Sequence, residues 1–325
     1  MALQVTDVAQ AEAPLAETVI SAGKWRGALR GLRSGKIIAG LVIVGIFVFV
    51  AIFGPMLERA NPSALTPAVL QPPSGAHWLG TTQTGQDVFA QLIDGTRTSL
   101  LVGFVSGAIA TFLSLLVGLS AGYLGGVVDE TLSALANIFL VIPGLPLVIV
   151  LAGYLPNKGS LSVAVVIAVT GWAWGARVLR AQTLSIAKRD FVQAAKATGE
   201  RPLRIIFSEI LPNELAIVAA SFLGTVIYAI LAQASLAFLG LSDVSQWSWG
   251  TMLYWAENNQ ALLVGAWWWF IPPGLAIAIM GMGLTLVNFG IDEFVNPRLR
   301  AAGIGTKAWG KALRKQAPLQ PGRGR

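Results

Sequence analysis

The sequence predicts an all-α membrane protein with six transmembrane helices and both termini in the cytoplasm. Of its 325 residues, 54% are hydrophobic and 12% are charged, whereas an ordinary soluble domain carries about 25% charged residues. The mean hydropathy is +0.66, which agrees with that balance. Six segments are apolar and long enough to cross about 30 Å of hydrocarbon.

The six predicted transmembrane helices contain no Asp, Glu, Lys or Arg. A single charge near the bilayer centre costs about 2.5–3.5 kcal/mol, which offsets the insertion energy of several Leu or Ile residues. The fourth helix is the shortest of the set. The six segments are 37–57, 99–124, 131–155, 161–176, 215–241 and 261–291.

Lys and Arg are concentrated on one side of the predicted membrane. The N-terminal tail, the loop between the fourth and fifth helices and the C-terminal tail hold 20 of the 23 basic residues. Only Arg59, Arg97 and Lys158 fall on the other side. Because cytoplasmic segments carry the excess of Lys and Arg in membrane proteins, both termini and this loop are predicted to be cytoplasmic.

The predicted organisation follows from these helices and their orientation. A cytoplasmic tail over 1–35 is followed by a first transmembrane helix over 36–57 and an external loop over 58–98. A five-helix core over 99–291 contains a cytoplasmic loop over 177–214 and an external segment over 242–260, and a basic cytoplasmic tail covers 292–325. The basic tail fits anionic headgroups better than nucleic acid, since nothing in it interleaves aromatic with base-reading side chains.

The cytoplasmic loop contains an amphipathic segment, 191–213. Its apolar residues recur with helical spacing, and Gly199 with Pro202 predicts a bend between two short helices, the second ending at Pro212. Five charged residues make insertion cost on the order of 12–17 kcal/mol, so the segment is predicted to lie outside the membrane. A surface for a partner protein and a solvated loop are the two interpretations.

Two external stretches contain interface-forming residues. The 58–98 loop is too long for a simple connector, and its later part is compatible with a helix on the membrane surface. The 242–260 segment contains Trp247, Trp249 and Trp255, which predict anchors at the headgroup level. A re-entrant or surface helix bordering a substrate mouth is the alternative.

Three uncharged polar residues lie inside predicted membrane helices: Asn137, Gln233 and Asn288. In lipid each must form interhelical hydrogen bonds or face a watery path, and the sequence leaves both open. These three residues are the predicted lining of a translocation pathway. Glycines four residues apart, such as Gly118 and Gly122, predict close helix packing.

Several kinds of active site are excluded by composition. Cys is absent and His77 is the only histidine, which excludes thiolate and multi-histidine metal sites. The tail motif GTKAWGKA matches most of a phosphate-binding loop, but Ala312 replaces the Ser or Thr that would hold magnesium. The predicted helices also lack the carboxylate or histidine of an intramembrane enzyme or proton-driven carrier. The chain is therefore predicted to be no enzyme and to bind no cofactor.

The cytoplasmic segment resembles a motif of the membrane-spanning permease subunits of binding-protein-dependent ABC importers. That motif runs E-A-A, three residues, G, about nine residues and I-x-L-P. Here Gln193-Ala194-Ala195, Gly199 and Ile210-Leu211-Pro212 stand in the same order. Gln193 replaces the usual Glu, which removes the charge at this position.

Three further stretches are similar to the "C" type of dipeptide and oligopeptide permease. HWLGTTQTGQDVFAQLIDGTRTSLLVG resembles the run before the second helix, with Thr82 and Gln86 in place of the usual Asp and Arg. SLAFLGLSDVSQWSWGTML resembles the segment after the fifth helix, shortened and without its usual prolines, and 296–300 resembles the ending. The resemblance extends from about Ser34 to Arg300.

The resemblance implies a type I ABC importer permease fold in a bacterial or archaeal cytoplasmic (inner) membrane. Its implied partners are a sister permease, two ATPase subunits that bind ATP and Mg, an external substrate-binding protein and the lipid bilayer. Within the loop 177–214, residues 189–200 would include the main coupling helix, which docks on an ATPase subunit, and the turn at 125–130 would be a second contact. The residues implied in this coupling are Arg189, Asp190, Gln193, Ala194, Ala195, Ala197, Gly199, Glu200, Gly126 and Asp129.

The predicted function is half of a translocation pathway for dipeptides or oligopeptides, coupled to ATP hydrolysis by separate subunits. Within the family, nickel, glycosides and other small solutes are alternatives that the sequence does not separate. A stand-alone channel, a secondary carrier and an intramembrane enzyme are the alternatives from other classes. A carrier is expected to show inverted repeats and broken helices around an intramembrane charge, which we do not find in the sequence.

Overall fold

The computed structural model describes residues 35–57 and 60–295, in which nine helices are found. They are α1 (Gly35–Leu57), α2 (Val88–Leu124), α3 (Gly126–Val141), α4 (Gly144–Gly153), α5 (Ser160–Ile186), α6 (Asp190–Ala197), α7 (Pro202–Phe238), α8 (Trp249–Asn258) and α9 (Trp267–Val295). β structure in these residues is limited to one isolated bridge between Thr81 and Asp87. The all-α prediction is confirmed. The 1–34 tail, Arg59, the 296–300 ending and the GTKAWGKA motif lie outside the described residues.

The central helix is α2, whose 37 residues correspond to about 55 Å. It packs along α5 and α7, while α1 pairs with α9 beside it. Glycines allow the close approach: a Cβ at Gly118 would lie 2.7 Å from the carbonyl oxygen of Ala176 in α5. A Cβ at Gly107 would lie 2.5 Å from Cγ2 of Val226 in α7. The glycines on α2 thus set the spacing of two neighbouring helices.

Five helices are long and apolar enough to cross a membrane: α1, α2, α5, α7 and α9. The predicted third span is not one helix, because α3 and α4 meet at an angle of 87°. The break has a local cause: Ile142 precedes Pro143, and a residue before proline is pushed out of the helical region. Ile142 is accordingly extended, with φ −75° and ψ 128°. Six spans are obtained only when this bent pair counts as one.

Two helices extend beyond the boundaries expected from charge. Asp87 caps α2 by accepting a hydrogen bond from the backbone N–H of Ala90 at 2.9 Å, so residues 88–98 are helical. The predicted loop therefore stops at Asp87. Likewise α5 continues past the expected end at Ala176 to Ile186. A charge ends an apolar run, but it does not end a helix.

Pro212 lies inside α7. Residues Ile205–Ile210 form a π-helical turn, at the end of which the N–H of Leu211 donates to the carbonyl of Ile206. This wider turn directly precedes the proline, which has no N–H to donate, and the helix continues to Phe238. The prediction that Pro212 ends a short second helix is therefore wrong.

The Trp-rich segment belongs to the folded core at the start of α2. Trp249 is fully buried, and its Nε1 donates to Oγ1 of Thr96 at 3.1 Å. Trp247 is 9% exposed and donates to Oγ of Ser63 at 2.9 Å, which fastens the 60–87 segment to this end of the bundle. For these two residues the prediction of headgroup anchors is wrong, because their rings fill the protein interior.

Candidate functional site

Helix α6 and the start of α7 form a helical hairpin, residues 190–210, beside the end of α2. Gly199 makes the turn with φ +76°, and a Cβ at this position would meet no atom within 4 Å. The N–H of Glu200 donates to the carbonyl of Ala195 at 3.1 Å, which closes the end of α6. Glycine is favoured here by the left-handed backbone conformation rather than by lack of space.

One face of the hairpin is buried and the other is exposed. Val192 is fully buried against Ile205, Ile206 and Ile210 of α7 and against Leu119 of α2. Ala195 is half-buried at the edge of this cluster. The predicted coupling residues that are exposed are Arg189, Asp190, Gln193, Ala194, Ala197 and Gly199. The hairpin is therefore fixed to its own chain by apolar packing and presents small and polar side chains outward.

Gln193 is hydrogen-bonded within its own chain. Its Nε2 donates to the carbonyl of Ala187 at 2.7 Å, and so ties α6 to the end of α5. A glutamate at this position has no N–H to donate and would place a negative charge against the carbonyl oxygen. The amide of Gln193, where the motif usually has Glu, thus joins α6 to the end of α5 by a hydrogen bond that a carboxylate cannot donate.

We expect Gln193→Glu to weaken this tie by about 1 kcal/mol, because a neutral hydrogen bond is replaced by a repulsive contact. Hydrogen exchange of the 187–193 amides should become faster, and mass spectrometry of peptic peptides measures it. Gln246→Glu is the matched control, since Gln246 accepts from Oγ of Ser160 at 2.7 Å and a carboxylate also accepts. Equal exchange in wild type and Gln193→Glu would contradict the prediction.

The second predicted contact, the turn between α2 and α3, is also held internally. Asp129 accepts hydrogen bonds from Nε and Nη2 of Arg180 in α5, the latter at 2.6 Å, and from Oγ of Ser133 at 2.9 Å. Its carboxylate therefore joins α3 to α5. Gly126 is exposed with φ +52°, and nothing lies near the position of a Cβ.

The hairpin and this turn are neighbours in space. Nζ of Lys196 in α6 lies 4.8 Å from the ring centroid of Tyr123, which belongs to the last turn of α2. Such a cation–π contact contributes about 0.5–1 kcal/mol at an exposed site. Two stretches separated by some 60 residues, both predicted from the resemblance, are thus brought to one end of the bundle.

A cavity of about 650 Å³ opens between the helices. Among the described residues, those that line it are uncharged and come from α3, α4, α5, α7, α9 and the α3–α4 break. They are Phe139, Leu140, Ile142, Gly144, Thr170, Gly171, Ala173, Trp174, Gly175, Val178, Ala216, Ile217, Ala220, Ser221, Gly224, Thr225, Tyr228 and Asn288. The stripe on α7, from Ala216 to Tyr228, recurs with helical spacing, and small or polar residues along one face of a hydrophobic helix are the sequence signal for it.

The three predicted pathway residues do not converge. Asn288 borders the 650 Å³ cavity, and its Oδ1 has no hydrogen-bond partner among the described residues. Asn137 lies in a separate pocket and accepts from Nη2 of Arg177 at 2.5 Å. Gln233 is 3% exposed beside Ser248 and Lys158, where the gap is only about 10 Å³. Of the three, only Asn288 borders the 650 Å³ cavity.

Glu214 was not singled out from the sequence. It is fully buried in α7, where Oε1 accepts from Oγ1 of Thr183 in α5 at 2.9 Å and Oε2 has no partner among the described residues. A buried carboxylate with one hydroxyl partner is costly, so the α5–α7 contact depends on that hydrogen bond. Its sequence signal is a lone acidic residue directly before the fifth predicted span.

We expect Thr183→Val to destabilise the protein by about 1–3 kcal/mol, because it leaves the Glu214 carboxylate without its hydroxyl donor. Thr183→Ser should retain the bond and remain close to wild type. Thr285→Val is the control, since among the described residues Oγ1 of Thr285 donates within its own helix, to the carbonyl of Gly281. Thermal unfolding in detergent measures the difference, and equal loss in both valine variants would show that the Glu214 contact is unimportant.

Among the described residues, five helices are long and apolar enough to cross a membrane, and three of them, α5, α7 and α9, line an open cavity of about 650 Å³, so the fold defines a multi-helix integral membrane protein. Residues 114–301 match the family model described as "Binding-protein-dependent transport system inner membrane component". The chain belongs to this family.

Curated relatives cover most of the chain. It is 33% identical to the oligopeptide transport system permease protein OppC of Bacillus subtilis over 281 residues, or 85% of this chain and 90% of the relative. It is 34% identical to the dipeptide transport system permease protein DppC of Alkalihalophilus pseudofirmus, over 85% of this chain and 91% of the relative. The probable D,D-dipeptide transport system permease protein DdpC of Escherichia coli is 32% identical, over 91% and 98%.

A solved structure shares the fold. A chain of the inward-facing MetNI methionine ABC transporter superposes with a TM-score of 0.50 and 21% identity, covering 63% of this chain and 94% of that one. At this identity the likeness concerns the fold alone, and it confirms the predicted ABC importer permease architecture.

Proposed function

We propose that this chain forms half of the translocation pathway of a peptide importer in a bacterial or archaeal inner membrane. It would pair with a sister permease, dock through residues 190–210 on ATPase subunits and receive peptides from an external binding protein. The names of the relatives, which transport oligopeptides or dipeptides, support the peptide class. The basic segments and both termini would then be cytoplasmic.

One observation carries the proposal: the two helices that form most of the cavity wall run directly into the hairpin. Helix α5 is followed after three residues by α6, and α7 begins inside the hairpin at Pro202. Because a helix is stiff along its axis, a displacement of the hairpin changes the separation of α5 and α7. Docked subunits that close on ATP could in this way open or close the cavity without any chemistry in this chain.

The character of the cavity fits a peptide pathway. Its volume of about 650 Å³ lies within the usual range of ligand pockets, about 300–1,000 Å³. Its wall offers hydroxyls of Thr170, Ser221, Thr225 and Tyr228 and the amide of Asn288, without a charged side chain among the described lining residues. Such a wall permits hydrogen bonds to peptide groups without selecting one side-chain charge.

In this proposal the partner subunits hydrolyse ATP and bind the cofactors. ATP and Mg would be bound by the ATPase subunits, and this chain would hold neither. Its role is allosteric: nucleotide and substrate would each favour a different arrangement of the same helices.

The test is uptake by proteoliposomes containing the complete complex, with the external binding protein outside and ATP inside. We expect ATP-dependent accumulation of labelled di- or oligopeptides that requires the binding protein. Accumulation of Ni²⁺ or a glycoside under the same conditions, with no peptide uptake, would overturn the peptide assignment. Uptake without ATP would overturn the importer mechanism itself.

A further inference from the structure

A second pocket, of about 290 Å³, lies between α2, α3 and α5 and contains an arginine that the proposed function does not use. Small residues make the space: Gly118 and Ala121 of α2, Ala136 of α3 and Ala176 of α5. Arg177, Arg180 and Asn137 are the long polar side chains of its wall.

The two arginines differ in their electrostatic partners. Arg180 is neutralised by Asp129, to which it donates two hydrogen bonds. Arg177 is exposed, and its hydrogen bond goes to the neutral amide oxygen of Asn137. Among the described residues no carboxylate oxygen lies within 4.0 Å of Arg177. Among the described residues the positive charge of Arg177 therefore has no carboxylate partner, and its guanidinium has N–H groups still able to donate.

The depth of Arg177 indicates which anion could reach it. Helix α5 contains no charged residue from Ser160 to Ala176, a stretch of about 25 Å at 1.5 Å per residue. This length approaches the roughly 30 Å of a bilayer's hydrocarbon core. Arg177 directly follows the apolar stretch, on the hairpin side of the bundle, and so lies where headgroup phosphates are found.

We propose that this pocket binds the phosphate of a phospholipid, with Arg177 as the charged contact and Asn137 as the residue that positions its guanidinium. Planar, multi-donor arginine matches phosphate oxygens, and the cytoplasmic leaflet supplies anionic lipid. The assignment to the cytoplasmic leaflet rests on the orientation given in the proposed function, whereas the pocket itself does not. A bound lipid would hold α3 against α5 beside the Asp129–Arg180 pair, near the base of the hairpin.

The experiment compares wild type, Arg177→Gln and Arg97→Gln as full chains purified with their partner subunits. Arg97→Gln is the matched control, because it removes the same charge from an exposed position near the opposite end of α2. Thermal unfolding is measured in nanodiscs of phosphatidylcholine alone, the same with phosphatidylglycerol, and phosphatidylcholine with inorganic phosphate in the buffer. Native mass spectrometry counts retained phosphatidylglycerol.

Phosphatidylglycerol should raise the Tm of wild type and of Arg97→Gln by about 3 °C and leave the Tm of Arg177→Gln unchanged. Arg177→Gln should also retain one phosphatidylglycerol molecule fewer than wild type. Ala136→Leu, which fills the pocket and keeps both arginines, should show the same loss if Arg177→Gln does not fold. An equal lipid effect in Arg177→Gln overturns the proposal. If inorganic phosphate raises the Tm as much as phosphatidylglycerol does, the ligand is a free anion and the lipid assignment is overturned. If Arg177→Gln loses the sister subunit and phosphatidylglycerol has no effect on any variant, the partner of Arg177 is a carboxylate of the sister subunit, which also overturns the lipid assignment. Peptide uptake is scored separately, so either result is independent of the proposed function.

Discussion

Gly199→Val is expected to reduce ATP-driven uptake at least tenfold while leaving membrane insertion at the wild-type level. Gly199 has φ +76°, and an L-residue in this region loses about 1–2 kcal/mol, with β-branched residues the most unfavourable. Because a Cβ would have no atom of the described residues within 4 Å, we expect the valine to act mainly through the backbone. The turn would open and displace α6 from the position in which it docks.

The measurement pairs peptide uptake with ATPase activity in the same proteoliposomes. In the uncoupled variant we expect ATP hydrolysis to continue without matching uptake. Gly199→Asn is the matched variant, since asparagine adopts the left-handed region more readily than valine and should retain most of the uptake. Parental uptake by Gly199→Val would show that the hairpin turn is not part of the coupling path.

Ala194→Asp is expected to abolish co-purification of the ATPase subunits with the permease. Ala194 is exposed on α6 and outside the Val192 cluster, so the new carboxylate leaves that packing intact and adds only a weak repulsion with Asp190 one turn earlier. When the docked face closes, however, the carboxylate would be buried without a partner. Leaving a charge buried without a partner at an interface weakens binding by about 2–5 kcal/mol, which is enough to dissociate a complex during purification.

Ala194 is a better position than Ala195 for testing the docking surface, because only Ala194 is fully on the exposed face. Ala195 packs against the Val192 cluster, so Ala195→Asp would also damage the hairpin and its result would be ambiguous. Ala64→Asp is the matched control, because Ala64 is an exposed alanine in the 60–87 segment, at the other end of α2. If Ala194→Asp still co-purifies with stoichiometric ATPase subunits, the docking surface lies elsewhere on the chain.

Some features of the site were predictable because they depend on local sequence. The bend between two helices follows from Gly199 and Pro202, and both are found at the turn of the hairpin. The break at Ile142 has an equally local cause, but it was not predicted. Pro143 lies inside an apolar run long enough to cross the membrane, and the run was therefore interpreted as one continuous helix. Helix ends were misplaced for a related reason, since Arg97 and Arg177 bounded the predicted apolar spans but lie inside longer helices.

Other features could not be predicted because they depend on residues far apart in the chain. Asn137 and Asn288 look alike in sequence, but one is bonded to Arg177 and the other borders the large cavity. Glu214 is fully buried, and its hydrogen-bond donor Thr183 lies 31 positions away, at 2.9 Å. Such neighbours are set by the packing of α5 against α7.

The sequence by itself determined that this is a helical membrane protein, which stretch stays outside the lipid, and which motif marks the family. Composition, charge and turn residues act locally, and the cost of burying charge in hydrocarbon applies wherever the chain folds. The tertiary structure alone decided that Gln193 is bonded to Ala187, that Asp129 is paired with Arg180, and that the hairpin is continuous with the cavity wall. The Asp129–Arg180 pair joins α3 to α5 close to where α2 crosses α5 at Gly118, and only packed helices bring residues 51 positions apart within hydrogen-bonding distance.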